Sequence, residues 1–583
     1  HSWEPQGWNP LTSRRDPLKH LPIWFLHWTS GFESRFRQSS RLAAIVPLLR
    51  DCRERLNTQT LTKMADVHQP SPEEVQKWLV QFLTPKTALI QEATVWLKQY
   101  LKMPFSIPVM FQILLVGNKV QTRQTAGVLL RSWLVKHWAS VDEDVAINMK
   151  NALLQAFAVE PEIVLRRAMS DLVTLIARLT LPLDHWPEFW PAMFEMANSG
   201  NDTQKISLLG VIEDLGDKIF ELMRPQLPDL LPFVHHCLQN TEDPHVRVAA
   251  MKAIGTLMGE ENEEQDELVE KLKPFVPLML ELIEFCVHQG ADMEANDGLC
   301  IFQAMVETCP SILSPHVSAI THFCLLTASN TGLEWEVRSE CLTFLEWVIQ
   351  FRPSFIIKQH LLDPILDVCF SIASEPDMEG VQTWEITPHR FAMQIVDCLC
   401  SYIKPKHTFR NIMARVDAWM VSENPWERRT AISAISAMPK GCVEEMLKSL
   451  EEYFPYMEAA FNDQESVVRQ AGCIMLSQFA DFLSPPILEH YEFCLPLAYK
   501  ALCEEDPEIQ ERALFSLIAF MEHLDHSGVE SLLPDIIQRL VNLLETSDNK
   551  DIQDSAISAI AACASAALEQ FTPFWEHIVK MLQ

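Results

Sequence analysis

One helix-like stretch returns again and again along this chain, and its spacing limits the possible folds more than any single residue does. It stands as "NTEDPHVRVAAMKAIGTLMGE" at 240–260, as "NDQESVVRQAGCIMLSQFADFL" at 462–483 and as "EEDPEIQERALFSLIAFMEHL" at 504–524. Each copy has an acid-rich turn, an Arg or Gln, and a small or apolar residue three places on. With occasional substitutes, the marker positions are Gln91, Arg123, Leu165, Gln204, Arg247, Asp297, Arg338, Arg390, Arg428, Arg469, Gln510 and Gln553. Their intervals are 32, 42, 39, 43, 50, 41, 52, 38, 41, 41 and 43 residues. A period near 40 in helical sequence belongs to stacked helix pairs of the HEAT or armadillo type.

A second signature, an apolar-Pro-x-apolar run, alternates with the first, at Pro232, Pro277, Pro364, Pro455, Pro496, Pro534 and Pro573. Proline fits the first turn of a helix and bends one elsewhere, so each run starts or kinks the apolar helix ahead of the next marker. Both helices of a pair carry an apolar stripe, and one pair cannot cover both stripes. Stacking neighbours does, as in other repeat proteins. The small residues at marker +3, among them Ala126, Ala168, Ala250, Ala431, Gly472, Ala513 and Ala556, allow the second helices to approach closely. Arg247, Arg338 and Arg469, with the acids of the turn, are expected to form a ladder of hydrogen bonds between repeats. The predicted fold is all-α, a right-handed α-solenoid of HEAT helix pairs.

Composition agrees. Glycine is scarce, with 16 in 583 residues, and strand-like clusters of β-branched residues are absent. The net charge of −31 argues against direct nucleic-acid binding and favours basic partners. The fifteen cysteines are scattered singly in apolar runs, save the close pair Cys398 and Cys400, and no C-x-x-C pair begins a zinc site. They read as small buried hydrophobes in a reducing compartment. No apolar run is long enough for a membrane span.

Residues 1–63 differ from the rest. They carry ten Lys/Arg against five Asp/Glu, a net of +5 that leaves −36 for residues 64–583. They read as a basic leader that is disordered or an artefact of the gene model, with Met64 as a natural start. A targeting leader would be poorer in acids. The expected organisation continues with repeats 1–2 over 64–140, repeats 3–12 over 141–570, and the first helix of a truncated thirteenth repeat over 571–583.

No catalytic motif is present: no G-x-G-x-x-G, no P-loop, no G-x-S-x-G and no H-E-x-x-H. His523 and His526 could begin a metal site, but no third ligand follows, so neither metal nor cofactor is expected. Two intervals are long. The first contains the acid-rich run 259–271, which reads as a solvated helix start. The second contains an acidic loop with Glu375, Asp377, Glu379 and Glu385. Loops of this kind carry binding more often than the elements they join. Tryptophans at 335, 347, 384, 419 and 426 are core residues or aromatic anchors for a peptide.

The run "VQTRQTAGVLLRSWLVKHW" (120–138), after "EATVWLKQYLKMPFSIPVMFQILL", resembles the amino-terminal domain of the importin-β (karyopherin-β) superfamily. "ITPHRFAMQIVDCLCSYIKP" and "DQESVVRQAGCIMLSQFADFLSP" resemble its importin-4-like branch. The resemblance implies a nuclear transport receptor that shuttles between cytoplasm and nucleus, and that wraps basic cargo such as histones or ribosomal proteins. It implies release of cargo on binding Ran-GTP, and contact with the FG-repeat proteins of nuclear pores. In that family Ran-GTP lies on the second helices of the first repeats, here with Arg123, Arg131, Lys136, Arg166, Arg167 and Asp171 as contacts. The acidic loop falls in the eighth repeat, as it does in that branch, but is short and mildly acidic here. Glu213, Asp214, Asp217, Trp347, Trp419 and Trp426 are the residues expected to face cargo. The alternative is a static HEAT scaffold for a multiprotein complex such as a phosphatase assembly. The chain also reads as an amino-terminal portion of such a receptor.

Overall fold

The computed structural model describes residues 70–582 except 104–105, 241, 259–265, 378–386 and 525–531. The basic leader 1–63, Met64, Glu379, Trp384, Glu385 and His526 therefore lie outside the described residues, as does most of the acid-rich run. The chain divides into two units at Val75 and Gln76. Of the first, the described part opens a helix, where the Ser71 backbone N–H donates to the Glu74 carboxylate at 3.0 Å.

The described residues contain helices and no strands. The longer helices fall into pairs. The first four pairs are α1 (Pro72–Phe82) with α2 (Thr87–Tyr100), α3 (Ser106–Val116) with α4 (Val120–His137), α5 (Glu143–Val159) with α6 (Ile163–Thr180), and α7 (Phe189–Ser199) with α8 (Asp202–Met223). The next four are α9 (Leu227–Leu238) with α10 (Pro244–Thr256), α11 (Phe275–Gln289) with α12 (Asp292–Thr308), α13 (Val317–Ser329) with α14 (Trp335–Phe351), and α15 (Leu362–Ala373) with α16 (Pro388–Tyr402). Then come α17 (Pro405–Met420) with α18 (Pro425–Ala437), α19 (Phe454–Phe461) with α20 (Ser466–Phe482), α21 (Tyr491–Leu502) with α22 (Pro507–His523), and α23 (Leu533–Thr546) with α24 (Lys550–Ala567). A further helix, α25 (Thr572–Leu582), follows. Every marker residue lies in the first two turns of a second helix.

The turn chemistry explains these starts. Asp243, Asn424 and Asp506 each accept from the backbone N–H two residues on, at 2.9, 3.1 and 3.0 Å, and a proline occupies the position between. The side chain satisfies an orphan donor, and proline needs none at that position. Asn201 and Gln204 form a reciprocal capping box at α8. The prolines of the second signature lie in first turns, as at Pro455 and Pro534, or inside the helix, as at Pro232 and Pro496.

The second helices from α4 to α24 pack each on the next in one unbroken layer, while the first helices touch their neighbours less extensively. The residues three places after the markers are closely packed. Ala126, Ala250, Ala431, Ala513 and Ala556 are fully buried, and at the same place in the tenth repeat a Cβ on Gly472 would lie 3.1 Å from Ala460 of its own first helix, so these positions seat the two helices of a pair closely. The result is a HEAT-repeat solenoid.

Candidate partner-binding wall

The marker arginines form the ladder between repeats, and their geometry is specific. Arg338 donates from Nε to the Ala328 carbonyl at the end of α13, at 2.8 Å, and pairs with Glu375 just beyond α15 of the next repeat. Arg123 and Arg247 do the same. Each donates from Nε to a carbonyl in the last turn of its own first helix, Leu114 at 2.7 Å and Leu238 at 3.0 Å. Each also reaches an acid of the following repeat, Glu160 and Glu281. The carbonyls that end a helix lack an intrahelical partner and carry the negative end of its dipole, so a guanidinium fits them twice over.

From the seventh repeat to the eleventh these contacts join into a continuous chain. Glu375 takes Arg338 through its carboxylate and Arg429 of α18 through its carbonyl, at 3.3 Å. Beside Arg429, Arg428 grips Asp463 at two points, both 2.8 Å. The Asp463 carbonyl takes Arg469 at 2.8 Å, and Arg469 pairs with Glu504 at 2.9 Å. The Glu504 carbonyl takes Gln510 at 2.6 Å. Burial alone would push the Asp463 carboxyl up, but Arg428, the Glu465 N–H and Arg469 outweigh it and hold it below the usual range.

One expectation is corrected here. The acid that precedes the proline, as at Asp243, caps its own helix; the inter-repeat acid comes from the end or body of the next first helix. Asp297, an acid at a marker position, pairs with Lys252 of α10 in the preceding repeat at 2.6 Å. In the eighth repeat the Ala373 carbonyl that ends α15 is bound by His389 at 2.9 Å and by Arg429 at 3.1 Å. His389 is half-buried, with Ser433 at its other nitrogen at 3.1 Å. Burial and then Arg429 push its pKa down to about 3, so the ring is neutral.

The six residues expected to contact Ran divide in two. Arg123 and Arg166 are rungs. Arg166 is 6% exposed and donates from Nε to the Glu160 carbonyl at 2.9 Å, so its guanidinium faces into the joint rather than outward. Arg131, Lys136 and Arg167 are exposed on α4 and α6. Arg131 reaches across to Asp171 at 2.7 Å. Burial pushes the Asp171 carboxyl up, and Arg131 draws it partly back.

Of the acidic loop, Glu375 and Asp377 are among the described residues. Its two described acids are engaged inside the molecule, Glu375 by Arg338 and Asp377 by Arg429 at 2.5 Å. Among the expected cargo residues, Glu213 and Asp214 lie on the second helix α8, and the side chain of Asp217 is outside what is described. Trp347 lies half-buried on the second helix α14, stacked on Phe351 with ring centres 5.3 Å apart. Trp426 opens α18 beneath Arg429, 4.5 Å from its ring centre. Trp419 sits on the first helix α17, edge-on to Phe370 of α15 at 5.1 Å, and so in the other layer.

Arg429, His389 and the partner acids were not read from the sequence. The acids carried a signal, since one stands 34 to 37 residues after each of Arg123, Arg247, Arg338, Arg428 and Arg469. Among the described residues no cluster of His, Cys, Asp and Glu could hold a metal ion, and no helix is long and apolar enough to cross a membrane.

Comparison with known proteins finds matches along the chain. Residues 93–159 match the importin-β N-terminal domain, and residues 161–323 match IPO5-like TPR repeats. Residues 382–485 match a family described as a DNA alkylation repair enzyme; that span is α16 to α20, and the match is one of helical repeats. The probable importin subunit beta-4 of Schizosaccharomyces pombe is 26% identical over 511 residues, covering 87% of this chain and 47% of that one. Importin-4 of Mus musculus is 25% identical over 447 residues, covering 73% and 40%. The chain thus spans about half the length of the curated relatives it matches, and those relatives carry the names of transport receptors. The crystal structure of Kap121p superposes with a TM-score of 0.74 at 19% identity over 88% of this chain and 51% of that one, which is a likeness of fold.

Proposed function

From its homology to importin-4 and other karyopherins, which sets it in the importin/karyopherin nuclear transport receptor family, we propose that this chain carries basic protein cargo and yields it when Ran-GTP binds. The observation that carries the reading is the importin-β N-terminal domain match at 93–159, which spans α4 and two of its exposed cations, Arg131 and Lys136. In this reading Ran-GTP lies on the exposed face of α4 and α6, against Arg131, Lys136, Arg167 and Asp171. Arg123 and Arg166 act through the shape of the joint.

The cargo is basic, of the histone or ribosomal-protein kind. Its complement is the net −36 of residues 64–583, which steers cationic partners over about 8 Å at physiological salt. Partners of the pore belong to the same reading. Kap121p, which shares the fold, has been crystallised bound to Nup53p and to Pho4p. Such a protein shuttles between cytoplasm and nucleus. The mechanism is mass action on a springy array: many small joints between repeats let the wall bend, and cargo and Ran-GTP favour different bends.

The test is capture of the purified chain on immobilised Ran locked with GTP and, separately, with GDP. Retention only by the GTP form is expected. Equal retention by both forms, with the protein shown to be folded, would sink the reading.

A further inference from the structure

The core of the eighth and ninth repeats holds two neighbouring thiols. Cys400 lies near the end of α16, and Cys442 lies in the short helix Pro439–Leu447 that follows α18. The two residues are 1% and 0% exposed. The two thiols influence each other's ionisation, and the Thr408 hydroxyl of α17 stands 4.0 Å from the Cys442 sulfur.

The backbone brings the two residues close. A Cβ at Gly441 would lie 2.0 Å from the Cys400 carbonyl oxygen and 2.3 Å from its carbon, so only glycine lets the short helix come so close. The next residue, Cys442, leaves helical geometry at φ −119°, ψ 20°, which breaks the short helix at the point of contact. A glycine placed for close approach and a kink beside it bring Cys442 against the end of α16 that carries Cys400. Burial and the partner thiol hold Cys400 up, whereas hydrogen bonds from Cys400 and Thr408 hold the Cys442 thiol below its usual range.

We propose that Cys400 and Cys442 are a redox-closable staple, which ties the second helix of repeat 8 to the connector leading into repeat 10 and so stiffens the joint across repeat 9. The oxidant is a peroxide. The Cys442 thiolate attacks one peroxide oxygen, the O–O bond breaks, and the departing oxygen leaves as water after protonation. Cys442 is then a sulfenic acid. The Cys400 sulfur attacks the Cys442 sulfur, the S–O bond breaks, and the hydroxyl leaves as a second water with the Cys400 proton. Two thiols and one peroxide give one disulfide and two waters. A dithiol reductant reverses the bond by exchange.

Cys324 and Cys341 also influence each other's ionisation, between the two helices of repeat 7. A bond there would stay within one repeat and leave the joints free.

The experiment treats the whole reduced chain, natively folded, with hydrogen peroxide, blocks remaining thiols and maps peptides without reduction. The expected product links Cys400 to Cys442, is lost entirely in Cys442→Ser and in Cys400→Ser, and persists in Cys503→Ser, which alters an exposed thiol. Circular dichroism on each variant establishes that loss of the bond is not loss of the fold. Hydrogen exchange across 388–447 is expected to slow on oxidation and recover on reduction. Absence of the linkage in native protein, formation only as fast as global unfolding, or linkage at 324–341 instead overturns the proposal. Linkage without slower exchange does so too, because a staple that stiffens nothing is not a switch.

Discussion

The Arg428 guanidinium holds the Asp463 carboxylate at two points, each 2.8 Å, across the boundary between the ninth and tenth repeats. Both side chains are largely buried, at 17% and 13% exposure. A buried, two-point ion pair is geometrically demanding, and removing one partner strands the other.

Arg428→Ala is therefore expected to cost about 2 kcal/mol, more than an exposed pair is worth. Asp463→Asn is expected to cost less, because the amide still accepts one bond. Urea unfolding of both single variants and the double variant measures the coupling. Additive losses would mean that the pair contributes nothing as a pair.

Asp463 also sets a pH dependence. Its folded carboxyl ionises more readily than an ordinary aspartate, so the unfolded chain binds the proton first as pH falls. The stability it contributes is present above about pH 4, the usual aspartate range, and is lost as pH falls towards the lower native value. Unfolding of the wild type and of Asp463→Asn at neutral and acid pH should converge on acidification. Curves that stay parallel would refute the assignment.

His389 acts at higher pH. Its native pKa of about 3 lies far below the ordinary histidine value, so the unfolded state gains a proton first. Stability is expected to fall as pH drops below about 6.5, the usual histidine value, and to go on falling towards the native one. In His389→Gln, which keeps a donor for the Ala373 carbonyl, that part of the slope should flatten. The readout is melting temperature against pH for the two proteins.

Exposed and structural cations on α4 and α6 should separate cleanly. Arg131→Glu with Lys136→Glu is expected to weaken Ran-GTP binding about ten-fold, or roughly 1.4 kcal/mol, with unchanged melting temperature. Arg166→Ala should lower the melting temperature instead. Calorimetric titration beside thermal unfolding distinguishes them, and an Arg131/Lys136 variant that binds normally removes those two residues from the interface.

Close packing between the two helices of a pair gives another test. Ala250 is fully buried, so Ala250→Leu should destabilise by about 1–3 kcal/mol through overpacking. The opposite change of shape, Ala250→Gly, should cost roughly 1 kcal/mol in a helix interior. A neutral leucine would mean that the pair has room to spare.

The repeat was legible because each copy repeats its turn chemistry, as in the Asp243-Pro244 and Asp506-Pro507 starts, and because Ala250 and Ala513 mark close approach. Helix pairing followed from the apolar stripes. The ladder was legible in its donors and not in its acceptors. Arg338 stands at a fixed place in its own helix, whereas Glu375 is fixed only once two helices are laid side by side. Arg429 and His389 were missed for the same reason, since they serve a carbonyl of another helix and leave no local pattern. Which layer Trp419 joins was not legible, because an aromatic residue reads alike in either layer.

The ladder also says where such a chain can be cut and rejoined. Arg428 and Asp463 are 35 residues apart, and so are Arg469 and Glu504. Excising the stretch that follows Arg428 through Arg469 would bring Arg428 before Glu504, donor before acid at the same distance as in either parent pair. The seams of this molecule therefore run through the middle of its helix pairs, and a shortened chain spliced there would inherit a ready-made joint, whereas one spliced at the visible turns would have to be given a new one.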